Sequence, residues 1–246
     1  MSSRSAQPGD RADAGVLAVV QARTGSTRLP GKVLADVGGV TALELMLDRL
    51  RRATESDEIV VATSSEPSDD IVARVAERAG ATAVRGPLED VLGRFSLALR
   101  QHPAEAIVRL TADCPLVDPE IADAVVRRWR DGEEEYVSNV DEPRTFPDGL
   151  DVEVMSRSAL EASAREATSP YEREHVTAFV RARPERFPRA VLELEPDYCS
   201  VRITLDTADD LELIRRIVRA AGADAGFNDV LAFLGFGPAV IRVPPP

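Results

Sequence analysis

Directly behind the apolar run Val16-Leu17-Ala18-Val19-Val20, the segment Gln21-Ala22-Arg23-Thr24-Gly25-Ser26-Thr27-Arg28-Leu29-Pro30-Gly31-Lys32 gathers three cations, three hydroxyls and two glycines. The apolar run reads as a buried first strand. Open α/β sheets bind ligands at the carboxyl ends of their strands, and glycines there let backbone N–H groups approach an anion closely. Arg23, Arg28 and Lys32 carry the charge needed to neutralise a polyphosphate. This combination predicts an α/β sheet with a phosphate site at the end of its first strand.

Two well-known phosphate motifs do not fit. Five residues separate Gly25 from Gly31-Lys32, where a Walker A loop needs four, and Val33 stands where a Ser or Thr would hold magnesium. The dinucleotide pattern G-x-G-x-x-G is missing after the strand as well. Neither a P-loop NTPase nor an NAD-binding Rossmann enzyme is indicated.

The rest of the chain supports a β-α alternation. Thr41-x-x-Glu44 is a capping box before a helix whose Leu43, Met46, Leu47 and Leu50 form one stripe. Ile59–Ala62 and Thr82–Val84 are short strands around a helix capped by Ser68, with Ile71, Val72, Val75 and Ala79 inward and Gly80 at its end. A helix follows through Val91 to Leu99, then the strand Ala106–Leu110, then a helix begun by Asp118-Pro119 and carrying Ile121, Val125 and Trp129. Such alternation specifies a mostly parallel sheet flanked by helices. From Tyr136 to Glu195 the rhythm changes: Leu150–Val154 alternates like a half-exposed strand, and helices are expected over Ser158–Ala167 and Tyr171–Arg183. This stretch reads as an inserted lobe within a single domain over residues 15–240. Ser200–Leu205 resumes as a strand, before a helix capped by Thr207 with Asp210 three residues on.

Composition narrows the class. With 246 residues, 44% of them hydrophobic, the chain can bury one large core, and a net charge of -12 disfavours nucleic acid or anionic membrane as partner. The two cysteines, Cys114 and Cys199, imply no disulfide framework and fit a reducing cytoplasm. No apolar stretch approaches the ~20 residues of a membrane span. The first 14 residues lack the apolar core of a secretory signal and read as a disordered leader.

Two carboxylates, Asp113 and Asp206, follow strands expected beside the first one. Magnesium takes oxygen ligands, usually one or two carboxylates together with substrate phosphates. Asp113 and Asp206 are therefore the expected metal ligands, facing the cationic loop.

Several segments together resemble a known family. The loop Ala22 to Lys32 resembles the nucleotide loop of CMP-KDO and CMP-sialic acid synthetases. Arg85-Gly86-x-x-x-Asp90-Val91-Leu92-x-Arg94, Thr111 to Asp118, Pro147 to Glu153, Arg173 to Thr177 and Arg202 to Thr207 are similar to the spore coat polysaccharide biosynthesis protein F family of cytidylyltransferases. Ala112 departs from the glycine more usual in that family. The resemblance implies a GT-A-like nucleotidyltransferase fold, CTP as donor, Mg2+ at Asp113 and Asp206, and transfer of CMP to an acidic sugar of the 2-keto type with release of pyrophosphate. It further implies nucleotide contacts by Ala18, Gln21, Ala22, Arg23, Gly25, Ser26, Arg28, Lys32, Thr63, Ser64, Arg85 and Asp90. It also implies acceptor contacts by Arg109, Asp151, Glu153, His175 and Arg202, and a homodimer formed through the inserted lobe.

Arg23, Lys32, Asp113 and Asp206 are the expected catalytic residues. Phosphoryl transfer of this kind depends on positioning and charge neutralisation. Other readings are a phosphosugar or phosphonate acceptor for the same chemistry, a GT-A glycosyltransferase, or a non-catalytic nucleotide-binding protein. The missing Asp-x-Asp after a core strand speaks against the glycosyltransferase. Retention of the two aspartates and three loop cations speaks against a non-catalytic role.

Overall fold

In the computed structural model, which describes residues 11–246, four apolar runs form strands β1 (Val16–Gln21), β2 (Glu58–Ser64), β3 (Thr82–Gly86) and β4 (Ala106–Thr111). They pair in parallel in the spatial order β3-β2-β1-β4. Crossovers run through α1 (Ala42–Leu50), α2 (Asp70–Arg78) and α3 (Val91–Gln101), and α4 (Pro119–Asp131) follows β4. Side chains alternate across a strand, so β1 feeds two cores. Val16, Ala18 and Val20 pack with α1, α4 and the later helix α8 (Ala208–Ala221), while Leu17 and Val19 pack with α3 on the other face.

The expected caps hold the helix starts. Thr41 and Glu44 form a reciprocal capping box, Asp118 accepts the amides of Glu120 and Ile121, and Thr207 pairs reciprocally with Asp210. Gly80 lies in the left-handed region at φ 74°. At the start of α2 the N-cap is Asp69 and not Ser68, and Ile71 faces solvent while Ala73 and Ala76 turn inward.

The region 136–195 is not a lobe beside the sheet. It supplies β5 (Tyr136–Ser138), β6 (Glu153–Ser156) and β7 (Arg189–Val191), which extend the same seven-stranded sheet as β3-β2-β1-β4-β6-β5-β7. Strand β6 lies antiparallel between β4 and β5. Of Leu150–Val154 all but the partly exposed Asp151 are consequently buried, with even Glu153 at 3% exposure. The edge-strand argument for dimerisation through this run therefore falls away. Helix α5 (Arg157–Glu166) follows as expected, but Tyr171–Arg183 divides into α6 (Pro170–Glu174) and α7 (Ala178–Arg181), interrupted at His175–Thr177. A separate two-stranded antiparallel sheet, β8 (Glu193–Glu195) with β9 (Val240–Arg242), and helix α9 (Phe227–Phe233) complete the chain.

Of the leader expected over residues 1–14, the first ten lie outside the described residues. From Arg11 the chain is docked: the Arg11 guanidinium donates to the carbonyls of Trp129, Gly132 and Glu134 and stacks on Trp129.

Candidate active site

The ends of β1 and β4 are level, with Gln21 paired to Thr111, and β2 runs on past Ala62, the other partner of Gln21, to Ser64. Strand order reverses beside β1, so the loops after β1 and β4 diverge and leave a crevice. Gln21–Arg23, Gly25–Arg28, Lys32, Thr111–Asp113 and Asp206 line this cleft of about 580 Å3.

The loop after β1 is closed by the Gly31 amide donating to the Thr24 carbonyl at 2.9 Å. Gly31 has φ 71°, and the turn it makes starts a short 3-10 helix at Lys32. Among the described residues, the amides of Gly25 to Arg28 donate to no protein acceptor. Backbone N–H groups left open beside cations are the makings of an anion cradle. The Lys32 ammonium reaches back to Asp113 at 3.0 Å and Asp206 at 2.7 Å. Asp206 also receives Arg28 at 2.9 Å and Arg202 at 2.8 Å. Burial pushes the Asp206 carboxyl up, but the bond and charge of Lys32 and the charge of Arg28 outweigh it and hold it below the usual carboxylate range.

Asp206 does not end a strand, as the sequence suggests. Ser200–Leu205 makes one bridge, Asp148 with Arg202, and is held as an extended run by two loops. The Leu205 amide donates to the Asp113 carbonyl, and the Ile203 amide to the Asp148 carbonyl, both at 2.7 Å. Gly149, at φ 114°, passes so close that a Cβ there would lie 2.8 Å from the Ile203 carbonyl carbon and the Thr204 nitrogen. Such an approach admits only glycine.

The structure thus gathers Gln21, Ala22, Arg23, Gly25, Ser26, Arg28, Lys32, Asp113 and Asp206 in one cleft. His175 sits apart from it with Arg94, across a smaller cavity of about 110 Å3 that also touches Gln21 and Arg23. Other expected contacts are engaged elsewhere. Ala18 is a mid-strand core residue at 1% exposure, about 10 Å back from the strand end at the usual rise. Thr63 and Ser64 are fully buried, with the Ser64 hydroxyl on Asp69. Arg85 ties the carbonyls of Ser64 and Glu66 and pairs with Asp70. Asp90 caps α3 through Gly93 and grips Arg173.

On the acceptor side, Arg109 pairs with its cross-strand partner Glu153, which also accepts from Tyr136 at 2.6 Å and Thr177 at 2.7 Å. Neither Arg109 nor Glu153 lines the cleft. Burial would raise the Glu153 carboxyl, but Arg109 and these hydroxyls hold it low. Arg202 is exposed and shared among Asp148, Asp206 and Asp210. Asp151 meets Arg144 at 2.7 Å, yet burial outweighs that partner and pushes its carboxyl up to about 6.

Sequence reasoning missed Asp69, Thr111 and Asp210. Thr111 ends β4 in the cleft, and Asp210 fixes Arg202 at 2.6 Å. The acidic pair Asp69-Asp70 ahead of an amphipathic helix was the available signal for Asp69.

Comparisons with known proteins bear on the family and the fold. The sequence profile described as cytidylyltransferase matches residues 17–221. The spore coat polysaccharide biosynthesis protein SpsF of Bacillus subtilis (strain 168) is 32% identical over 235 residues, covering 91% of this chain and 95% of its own length. A cytidylyltransferase structure from Leptospira borgpetersenii superposes with a TM-score of 0.83 at 32% identity, over 90% of this chain and 93% of that one. A CMP:2-keto-3-deoxy-manno-octonic acid synthetase solved with CTP shares the fold, with a TM-score of 0.63 at 19% identity over 84% of this chain and 99% of that one. With a nucleotidyltransferase fold and a family match spanning the sheet and the cleft, the chain belongs to the cytidylyltransferase family, together with SpsF.

Proposed function

We propose that this protein transfers CMP from CTP to an acidic sugar of the 2-keto type, releasing pyrophosphate. One observation carries the reading: the cationic loop after β1 and the carboxylates of Asp113 and Asp206 share one cleft, joined by Lys32. CTP is supported by the family and by the nucleotide bound in the octonic acid synthetase of the same fold. Arg23, Arg28 and Lys32 hold the triphosphate, with the open amides of Gly25 to Arg28 facing its oxygens. An acceptor oxygen attacks the α-phosphorus while the bond to the pyrophosphate oxygen breaks.

Asp113 and Asp206 fit a hard divalent cation, because their oxygens already converge on a single ammonium. When bound there, Mg2+ neutralises charge on the phosphates. On the acceptor side, Arg109 and Arg202 are engaged by Glu153 and Asp206. A homodimer rests on the family resemblance, which light scattering at micromolar concentration decides. Among the described residues no helix is long and apolar enough to cross a membrane. A cytoplasmic location is proposed from the two free thiols.

The test is pyrophosphate release across CTP, UTP, ATP and GTP with sugar acids, phosphosugars and phosphonates as acceptors. CTP with a sugar acid is expected to turn over fastest. Asp113→Asn and Asp206→Asn are expected to lose about 10²–10³ in rate with the fold retained. Turnover only with a phosphosugar or phosphonate reassigns the acceptor, and equal use of all four nucleotides removes the cytidine assignment.

A further inference from the structure

Asp69 occupies the N-cap of α2, where an aspartate ordinarily accepts the first-turn amides of its own helix. It makes no such bond. Its carboxylate, at 1% exposure, instead faces the loop after β1. Oδ1 accepts both the amide and the hydroxyl of Thr24, each at 2.7 Å, and Oδ2 accepts the hydroxyl of Ser64 at the end of β2. Burial pushes this carboxyl up, but the bonds from Ser64 and Thr24 outweigh it and keep it below the usual range.

Thr24 is thereby fastened at every polar atom. Its amide and hydroxyl go to Asp69, and its carbonyl takes the Gly31 amide that closes the loop. Arg23 stands immediately before this anchored residue, and the open amides of Gly25 to Arg28 immediately after it. A loop with free amides and mutually repelling cations gains order only if something outside it fixes a point of its backbone.

We propose that Asp69 is a positioning residue that preforms the nucleotide loop, acting through Thr24 and touching no substrate itself. The role rests on reading that loop as the triphosphate site. It lets the loop meet its anion without first ordering, so the expected loss in its absence falls on nucleotide binding and not on the acceptor.

The test compares wild type with Asp69→Ala, Asp69→Asn, Thr24→Val and the double variant. In the ligand-free chain, hydrogen exchange over residues 22–31 is expected to speed up in Asp69→Ala, while β1 and α1 keep wild-type protection. CTP with Mg2+ is expected to bind tenfold to a hundredfold more weakly by calorimetry, the range of a charge-assisted hydrogen bond. The acceptor KM stays unchanged. Asp69→Asn keeps an acceptor oxygen for the Thr24 amide and is expected to recover part of the loss. Adding Thr24→Val to Asp69→Ala is expected to cost little more, because the two share one contact. Wild-type exchange in the loop, or fully additive losses, would overturn the inference. Should Asp69→Ala fail to fold, Thr24→Val alone must still loosen the loop and weaken CTP, and an unchanged loop there refutes the role. A wild type that binds no nucleotide would remove the functional reading, while the exchange data still decide what Asp69 does.

Discussion

Lys32 and Asp206 stand 174 positions apart in the chain, and their side chains meet at 2.7 Å. With Asp113 at 3.0 Å, the ammonium sits between the two carboxylates expected to hold a divalent cation. On the function proposed above, a lysine at that point would compete with such a cation until a triphosphate drew it away.

Replacing Lys32 with Ala should therefore act in two directions. CTP affinity falls about tenfold or more, as a charge-assisted contact is lost. Mn2+ binding to the nucleotide-free chain tightens, since the ammonium that bridges the two carboxylates is gone and only Arg28 and Arg202 remain on Asp206. Electron paramagnetic resonance titration of free Mn2+ reads the second effect, and weaker Mn2+ binding in the variant would contradict the competition.

Gly149 sets the path of the segment leading to Asp206. A Cβ at 2.8 Å from backbone at Ile203 and Thr204, added to the cost of φ 114°, must displace that segment. Gly149→Ala is expected to lose about 1–3 kcal/mol of stability and a larger share of turnover than of CTP affinity. Thermal denaturation beside steady-state kinetics separates the two, and wild-type values in both would show that the contact is slack.

Asp151 should impose a pH dependence on stability. Its folded pKa of about 6 lies above the ordinary 3.8, with Arg144 favouring the charge and Asp148, Glu153 and burial opposing it. Below about pH 4 the carboxyl is protonated in both states, and its favourable contribution disappears as pH rises through 6. Asp151→Asn removes that loss. Relative to wild type, the variant should gain about 1–2 kcal/mol between pH 4.5 and 7.5 after allowance for partial exposure. Urea titrations at the two pH values measure the difference, and a constant offset between variant and wild type would place the Asp151 pKa near its ordinary value.

Glu153 tests whether its charge serves the fold or the acceptor. Breaking a buried pair leaves the surviving charge unpartnered, so Glu153→Gln should cost about 3 kcal/mol or more through Arg109. Any change in acceptor KM should then accompany that loss. A fully stable variant with a raised acceptor KM would return Glu153 to the acceptor pocket.

The sequence by itself determined what depends on near neighbours. The run Val16–Val20 and the loop behind it declare a buried strand followed by a glycine-turned cationic loop, because period, glycine and charge act within a few residues. The boxes at Thr41 and Thr207 likewise need only their own first turns. Tertiary structure alone decided what depends on distant partners. Leu150–Val154 has the alternation of a half-exposed strand, yet Glu153 is buried because β6 lies between β4 and β5 and brings Arg109 opposite. Ser200–Leu205 has the composition of a strand, but the loops at Asp113 and Asp148 take its amides and leave it beside the sheet. Asp69 has the position of a helix cap, but burial against Thr24 and Ser64 redirects its carboxylate. A local pattern specifies which backbone conformation is favoured. Which buried polar group satisfies which other is set by the order of strands in the sheet, and no short window of sequence contains that order.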